Sequence, residues 1–100
     1  MDAKRIRHTV AFRLRHTAGS PEEASFLAEA ESLAQIPGVD AFEILRQVGA
    51  KNDFDYGISM EFADREAYEA YNAHPAHVRF VETRWGPEVL DFLEIDYAQR

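Results

Sequence analysis

From Ile6 the chain alternates with a period of two. Ile6, His8, Val10, Phe12 and Leu14 share one face, and Arg5, Arg7, Thr9, Ala11, Arg13 and Arg15 share the other. This is the pattern of a half-buried strand with His8 set in an otherwise apolar row. A lone histidine in such a row is more often a core imidazole with a satisfied hydrogen bond than a catalytic group. His16, beyond the strand end, reads as an exposed loop residue. The period then lengthens. Gly19-Ser20-Pro21-Glu22-Glu23 announces a helix, with Ser20 at the N-cap, Pro21 at the first position and Glu23 completing a capping box. The helix is expected to run to about Ile36, with Leu27, Ala30, Leu33 and Ala34 inside and Glu29, Glu31 and Ser32 largely outside, until Pro37-Gly38 ends it.

A second strand is expected over about 39–48, where Phe42 and Ile44 alternate with Glu43, followed by a polar hairpin loop at Gly49-Ala50-Lys51-Asn52-Asp53. A third, over about 55–63, places Tyr56, Ile58, Met60 and Phe62 on one face and Gly57, Ser59 and Glu61 on the other. Asp64 caps a second helix to about Asn72, and the chain continues helical past a break toward Trp85, where Gly86-Pro87 stops it. The last strand, about 89–97, is apolar on both faces: Val89, Leu93, Ile95 and Tyr97 on one, Leu90 and Phe92 on the other. Strand, helix, strand, strand, helix, strand is the ferredoxin-like α+β arrangement, in which helices cover one face of a four-stranded antiparallel sheet. No repeat or linker divides the chain, so residues 1–100 are expected to form one domain. A last strand apolar on both sides predicts that something covers the open face, and a second copy of the chain is the simplest cover, giving a homodimer.

Composition narrows the chemistry. The absence of Cys excludes disulfides, thiolate nucleophiles and Cys-based metal sites. A formal net charge of −7 argues against nucleic acid, and the basic cluster Arg5, Arg7, Arg13 and Arg15 reads as the outer edge of a strand. No apolar run approaches the roughly 20 residues of a membrane span and no signal-peptide pattern opens the chain, so a soluble cytoplasmic protein is expected.

The most informative stretch is Tyr71-Asn72-Ala73-His74-Pro75-Ala76-His77-Val78-Arg79-Phe80-Val81. Pro75 lacks a backbone N–H and has a fixed φ, so it begins a new helical turn rather than continuing the old one. His74 then falls near the cap and His77 inside the first turn, where its imidazole can face whatever the helix covers. A tyrosine and a histidine converging on one pocket supply a proton acceptor and a hydrogen-bond donor near neutral pH. A helix junction with a capping histidine is also a common structural device, so spacing alone leaves both readings open. His74 and His77 lie three apart across a helix start with no clear third ligand, so no metal site is expected.

Tyr71 to Val81, the opening His8-Thr9-Val10-Ala11-Phe12-Arg13-Leu14, Phe62 before the capped helix and the closing Asp91-Phe92 together resemble the stress-responsive A/B barrel domain family of the dimeric α/β-barrel superfamily. The match spans nearly the whole chain, and the His-Pro-x-His step after a tyrosine is its most specific signature. The resemblance implies two ferredoxin-like protomers closing one barrel across a homodimer, with no cofactor. Within the family, the chain is similar to the plant polyketide cyclase branch typified by olivetolic acid cyclase. That likeness implies His77 as general base, Tyr71 as the tyrosine that hydrogen-bonds substrate, and His8 and Asp96 as supporting residues. The implied pocket lies between helices and sheet, with Ile58 and Met60 in its apolar wall, and takes a small hydrophobic or carbonyl ligand. Tyr56 stands where the branch has a third-strand histidine, and Ala30 where it has a pocket tyrosine, so the ligand-facing wall differs. Three readings follow: a cofactor-free cyclase-like enzyme working on a carbonyl compound, a non-catalytic stress-associated or small-ligand-binding protein, and a cofactor-free monooxygenase or isomerase.

Overall fold

The computed structural model describes residues 4–100. Strand β1 (Ile6–Leu14) runs antiparallel between β3 (Tyr56–Phe62) and β4 (Val89–Ala98), and β2 (Asp40–Arg46) pairs with the far side of β3, giving the order β2-β3-β1-β4. The alternating residues of β1 and β3 turn one apolar row toward the helices: Ile6, His8, Val10, Phe12 and Leu14 are buried, as are Tyr56, Ile58, Met60 and Phe62. The architecture is the ferredoxin-like α+β fold that the element order implied.

Helix α1 (Pro21–Glu31) starts as its sequence dictates. The Ser20 hydroxyl accepts from the Glu23 amide at 3.2 Å, and the Glu23 carboxylate reaches back to the Gly19 amide at 2.9 Å. It ends earlier than the expected Ile36, because Ser32–Gln35 tightens into a 3-10 turn. Three residues per turn brings Ala30, Leu33 and Ile36 onto one line, and all three are buried. Phe26, which the helical pattern left unremarked, is fully buried and sits 5.9 Å from the Phe12 ring and 5.5 Å from Phe80, centre to centre. Each such aromatic stabilises the fold by about 1.5–3 kcal/mol through burial alone.

The second helical region is broken twice. Helix α2 (Arg65–Ala73) is capped by Asp64, whose Oδ1 accepts from the Ala67 amide at 2.9 Å. His74 adopts extended backbone (φ −63°, ψ 134°) and caps α3 (Pro75–Phe80), its Nδ1 accepting from the Ala76 amide at 3.1 Å. A five-residue π turn, Val81–Trp85, follows, and a single turn, α4 (Gly86–Glu88), leads into β4. Gly86-Pro87 therefore continues the helical path instead of stopping it. Proline has no N–H to lose at the start of a turn, so its ring is accommodated there.

Two strand details also differ from expectation. Strand β2 is shorter, with Ala41 at φ 50° and a register shift between Asp40 and Glu43. In β4 the register slips where Arg13 faces Asp91 but Leu14 faces Val89. That bulge moves Val89 off the face of Leu93 and onto the helix side, where it packs against the core. Leu93, Ile95 and Tyr97 remain on the bare face with Thr9, Ala11, Leu45 and Gly57, around a shallow hollow of about 730 Å³. Leu93 (52%), Ile95 (39%) and Tyr97 (53%) are exposed there, an apolar area of the kind that soluble chains normally cover.

Candidate active site

Tyr68 and Tyr71 are three residues apart on α2, so they share its inner face, and both are buried. Six residues separate Tyr71 from His77. On a continuous helix that spacing would turn them about 120° apart. The extended residue His74 interrupts the helix and re-aims the next turn, so the two rings lie 4.5 Å apart, centre to centre. The break is what builds the site.

Between this junction and the sheet lies a cavity of about 280 Å³. The sheet contributes His8, Val10, Ile58, Met60, Phe92 and Glu94; the helices and turns contribute Leu33, Tyr71, Asn72, His77, Phe80, Val81 and Trp85. The wall is mostly apolar with a few convergent polar groups, which is the usual make-up of a small-ligand site. Phe92 and Glu94 are exposed on the edge strand, so the cavity opens along β4.

The two imidazoles are each held from behind. His77 Nδ1 lies 3.1 Å from the Asn72 carbonyl oxygen. A carbonyl can only accept, so Nδ1 carries the proton and Nε2 is left with a lone pair. Burial holds the His77 ring below its ordinary pKa; His8 pushes the same way, and the Asn72 carbonyl and Glu94 partly offset it. The resting ring is therefore neutral at pH 7. His8, 6% exposed, donates from Nδ1 to Asp96 Oδ1 at 2.6 Å. Tyr68 completes the group by donating to Asp96 Oδ2 at 2.8 Å, with its hydroxyl 3.0 Å from His8 Nδ1. A carboxylate behind an imidazole fixes its tautomer and ring orientation.

Tyr71 stands between them, its ring 6.3 Å from that of His8. Burial raises its hydroxyl pKa, and Glu94 adds to the effect, so the group stays protonated at neutral pH. No described side chain or backbone group bonds this hydroxyl, and no wholly buried side-chain oxygen lacks a partner, so it opens onto the cavity. A neutral base, a free O–H donor and a second oriented imidazole thus face one apolar space.

The structure brings His8, Tyr71, His77, Ile58 and Met60 to that space, sets Asp96 beside His8 as a supporting residue, and leaves Tyr56 apart. Asp96 does not line the cavity; it lies behind His8, fully engaged by His8 and Tyr68. Tyr56 belongs to the other end of β3, four residues or about 13 Å along the strand from Met60. Its ring packs against Phe12 at 5.9 Å under the Arg46 guanidinium. Sequence reasoning also passed over Tyr68, Trp85, Phe92 and Glu94. The three-residue step from Tyr71 marked Tyr68, and the two-residue step from Asp96 marked Glu94; Trp85 and Phe92, meeting edge to face at 5.6 Å, had no comparable signal.

The sequence model of the Stress Responsive A/B Barrel Domain matches residues 6–99. The chain belongs to that family. A family protein with a ferredoxin-like fold from Mesorhizobium loti is similar at 55% identity, covering 96% of this chain and 97% of its own, with a TM-score of 0.94. The hydroxynitrile lyase of Passiflora edulis superposes with a TM-score of 0.86 over 99% of this chain and 96% of its own, at 14% identity. A dimeric ferredoxin-like protein from Thermobifida fusca does so with a TM-score of 0.79 over 95% of this chain and 91% of its own, at 22% identity. Identities this low establish a shared fold and nothing finer. No match to this chain was found among curated proteins. In this A/B barrel domain protein, no helix among the described residues is long and apolar enough to cross a membrane.

Proposed function

We propose that this protein is a polyketide cyclase-like enzyme that uses its own side chains to remove a proton from carbon next to a carbonyl, working as a homodimer. The observation that carries the reading is that His77, its Nδ1 held by Asn72, and Tyr71, its hydroxyl unpartnered among the described residues, line one cavity with their rings 4.5 Å apart. His77, neutral at rest, takes the proton. The Tyr71 O–H hydrogen-bonds the carbonyl oxygen as it gains negative charge, and a raised pKa keeps that donor protonated. His8, held by Asp96, orients the substrate, and the His77 imidazolium returns the proton to the oxygen that gains negative charge in the bond-forming step. The carbanion-like intermediate can then close onto a second carbonyl, the bond-forming half of an aldol ring closure. The fold is one that an enzyme, the hydroxynitrile lyase of Passiflora edulis, also uses. The exposed Leu93, Ile95 and Tyr97, together with the likeness to a dimeric protein, support pairing through the bare face.

The test is exchange of the α-hydrogens of phenylacetone for deuterium in D₂O, followed by proton NMR. Wild-type protein is expected to accelerate exchange above buffer. His77→Ala should lower the rate about 100- to 10,000-fold and Tyr71→Phe about 100- to 1,000-fold, with the fold unchanged by circular dichroism. Retention of most activity by both variants overturns the assignment and leaves the pair as packing for the helix junction. That second reading, a non-catalytic ligand-binding protein, is favoured by one observation: the His77–Asn72 bond and the Tyr71–His77 ring contact also tie α2 to α3.

A further inference from the structure

The cavity has a charge, and its source is a residue that neither the helix junction nor the His8 group explains. Glu94 sits on β4 opposite Val10, two residues before Asp96 and on the same side of the sheet. The two carboxylates have opposite fates. Asp96 is spent on His8 and Tyr68, whereas no hydrogen bond or ion pair holds Glu94 among the described residues. Glu94 lines the cavity, and none of the chain's 11 Lys and Arg side chains does so. The imidazoles do not compensate, since His77 is neutral at pH 7 and His8 already faces a carboxylate.

We propose that Glu94 is the specificity determinant of this cavity, which favours a single-ring carbonyl compound that is neutral or cationic over one bearing a carboxylate or phosphate. An anion entering an apolar space needs a fixed positive group to replace the water it loses, and the wall offers none. A ligand O–H, N–H or ammonium can instead be received by the free carboxylate, with charge-assisted strength. Volume sets the size, because about 280 Å³ holds one ring with a short substituent. The same residue bears on the reacting groups: its negative charge raises the Tyr71 hydroxyl further and partly offsets the lowering of His77. The inference rests on the carbonyl-ligand reading above and adds the class of ligand to it.

Binding tests it apart from turnover, because Trp85, the chain's one tryptophan, lines the cavity and reports occupancy by fluorescence. Three benzyl ketones of matched shape serve as probes: phenylacetone, phenylpyruvate, and 1-amino-3-phenylpropan-2-one, which carries an ammonium group. Each unit of charge beside an exposed carboxylate is worth about two- to fivefold in affinity, so the cation should bind about tenfold tighter than the anion, with the neutral ketone between. Glu94→Gln should bring the cation-to-anion ratio close to one, and Glu94→Lys should reverse the order. Glu22→Gln, which removes the same charge from the exposed start of α1, should leave the order unchanged. Salt near about 1 M, where the Debye length falls to about 3 Å, should shrink the wild-type ratio. Equal affinities, a preference for phenylpyruvate, or an order indifferent to Glu94 overturns the inference. No fluorescence response to any probe overturns both this inference and the carbonyl-ligand reading. The expected charge order without α-hydrogen exchange removes only the catalytic assignment.

Discussion

The two faces of the sheet are both apolar, yet they are finished in opposite ways. On one, the residues of β1 and β3 are sealed by the chain's own helices, and the polar groups admitted, His8 and Tyr68, are satisfied by a carboxylate behind them. On the other, Leu93, Ile95 and Tyr97 stand exposed around a hollow that no element of the chain enters. The difference teaches where chemistry can be built. An imidazole with a tuned pKa needs burial and a fixed hydrogen-bond partner, which only the covered face supplies. The bare face has apolar area around Leu93, Ile95 and Tyr97, which suits association between chains. Its held polar groups, the Arg7–Glu61 ion pair and the Thr9 hydroxyl on the Ile95 carbonyl, are exposed. Strand β4 serves both, turning Phe92 and Glu94 to the cavity and Asp96 to His8 behind it, and Leu93, Ile95 and Tyr97 outward.

The sharpest way to break this contrast is to charge the bare face. In the proposed dimer Leu93 is buried, and an unpaired carboxylate there costs several kcal/mol. Leu93→Asp should therefore weaken dimerisation by at least about a hundredfold, read as a monomer by sedimentation velocity. Because Leu93 is already 52% exposed in the protomer, the protomer itself should stay folded. A dimer of unchanged affinity would show that the second copy, if there is one, sits elsewhere.

On the covered face the matching lesion is Phe26→Ala. Phe26 is fully enclosed by Phe12, Phe80 and Trp85, so truncation should cost about 3–5 kcal/mol in urea unfolding. A loss below about 1 kcal/mol would mean that this end of the helical layer is not the packed core described.

How much of this contrast is legible in the sequence depends on which contacts make it. The alternation of Ile6 to Leu14 is local, so it names the inner face of β1 outright, His8 included. The capping residues Ser20 and Asp64 are equally local and act as their spacing implies. Val89 is misplaced by simple parity because a bulge depends on how two strands slip past each other. Tyr56 is misplaced for a similar reason. Its inward facing follows from alternation, but its distance from the cavity is set by where α3 crosses the sheet. Tyr68 and Glu94 stayed unnoticed because their meaning comes from partners that are 28 or more residues away in the chain or from a cavity formed by tertiary packing. Local pattern supplies the faces; packing decides which part of a face becomes a site.

The acid–base state of the covered face gives a smaller effect with a definite sign. Burial lowers His77 below its ordinary value of 6.5. The reactive form is the neutral ring, so α-hydrogen exchange should rise with pH and reach its plateau below the pH at which a free imidazole would. Stability follows the same direction. Between 6.5 and the lowered folded-state value, the unfolded chain holds a proton that the folded chain refuses. The His77 contribution is therefore present above pH 6.5 and lost as pH falls toward the lowered value. Thermal melts across that window should show a decline that His77→Gln flattens. An exchange profile with its midpoint above 6.5 would mean that a group other than His77 controls the base.

The smallest expected effect falls on the group behind His8, and it asks whether that group is built for orientation or merely for packing. Tyr68→Phe keeps the ring against Phe62, stacked at 5.1 Å, and removes only the hydroxyl. Asp96 Oδ2 loses its donor but lies near the strand edge, where water can replace it, so the stability cost should be about 1 kcal/mol. Orientation is another matter. With one carboxylate oxygen unanchored, Asp96 can rotate, and His8 Nδ1 loses both the fixed acceptor and the neighbouring hydroxyl. Nitrogen-15 NMR of the imidazoles should then show the His8 tautomer shifting from a single Nδ1–H form toward a mixture, while the His77 signals stay unchanged. Exchange activity should fall only about two- to tenfold, far less than in His77→Ala, because Tyr68 touches no ligand and acts through Asp96 and His8. A variant with the wild-type His8 tautomer and the same loss of stability would assign Tyr68 to the core alone. The covered face would then owe its one fixed imidazole at β1 to Asp96 without help.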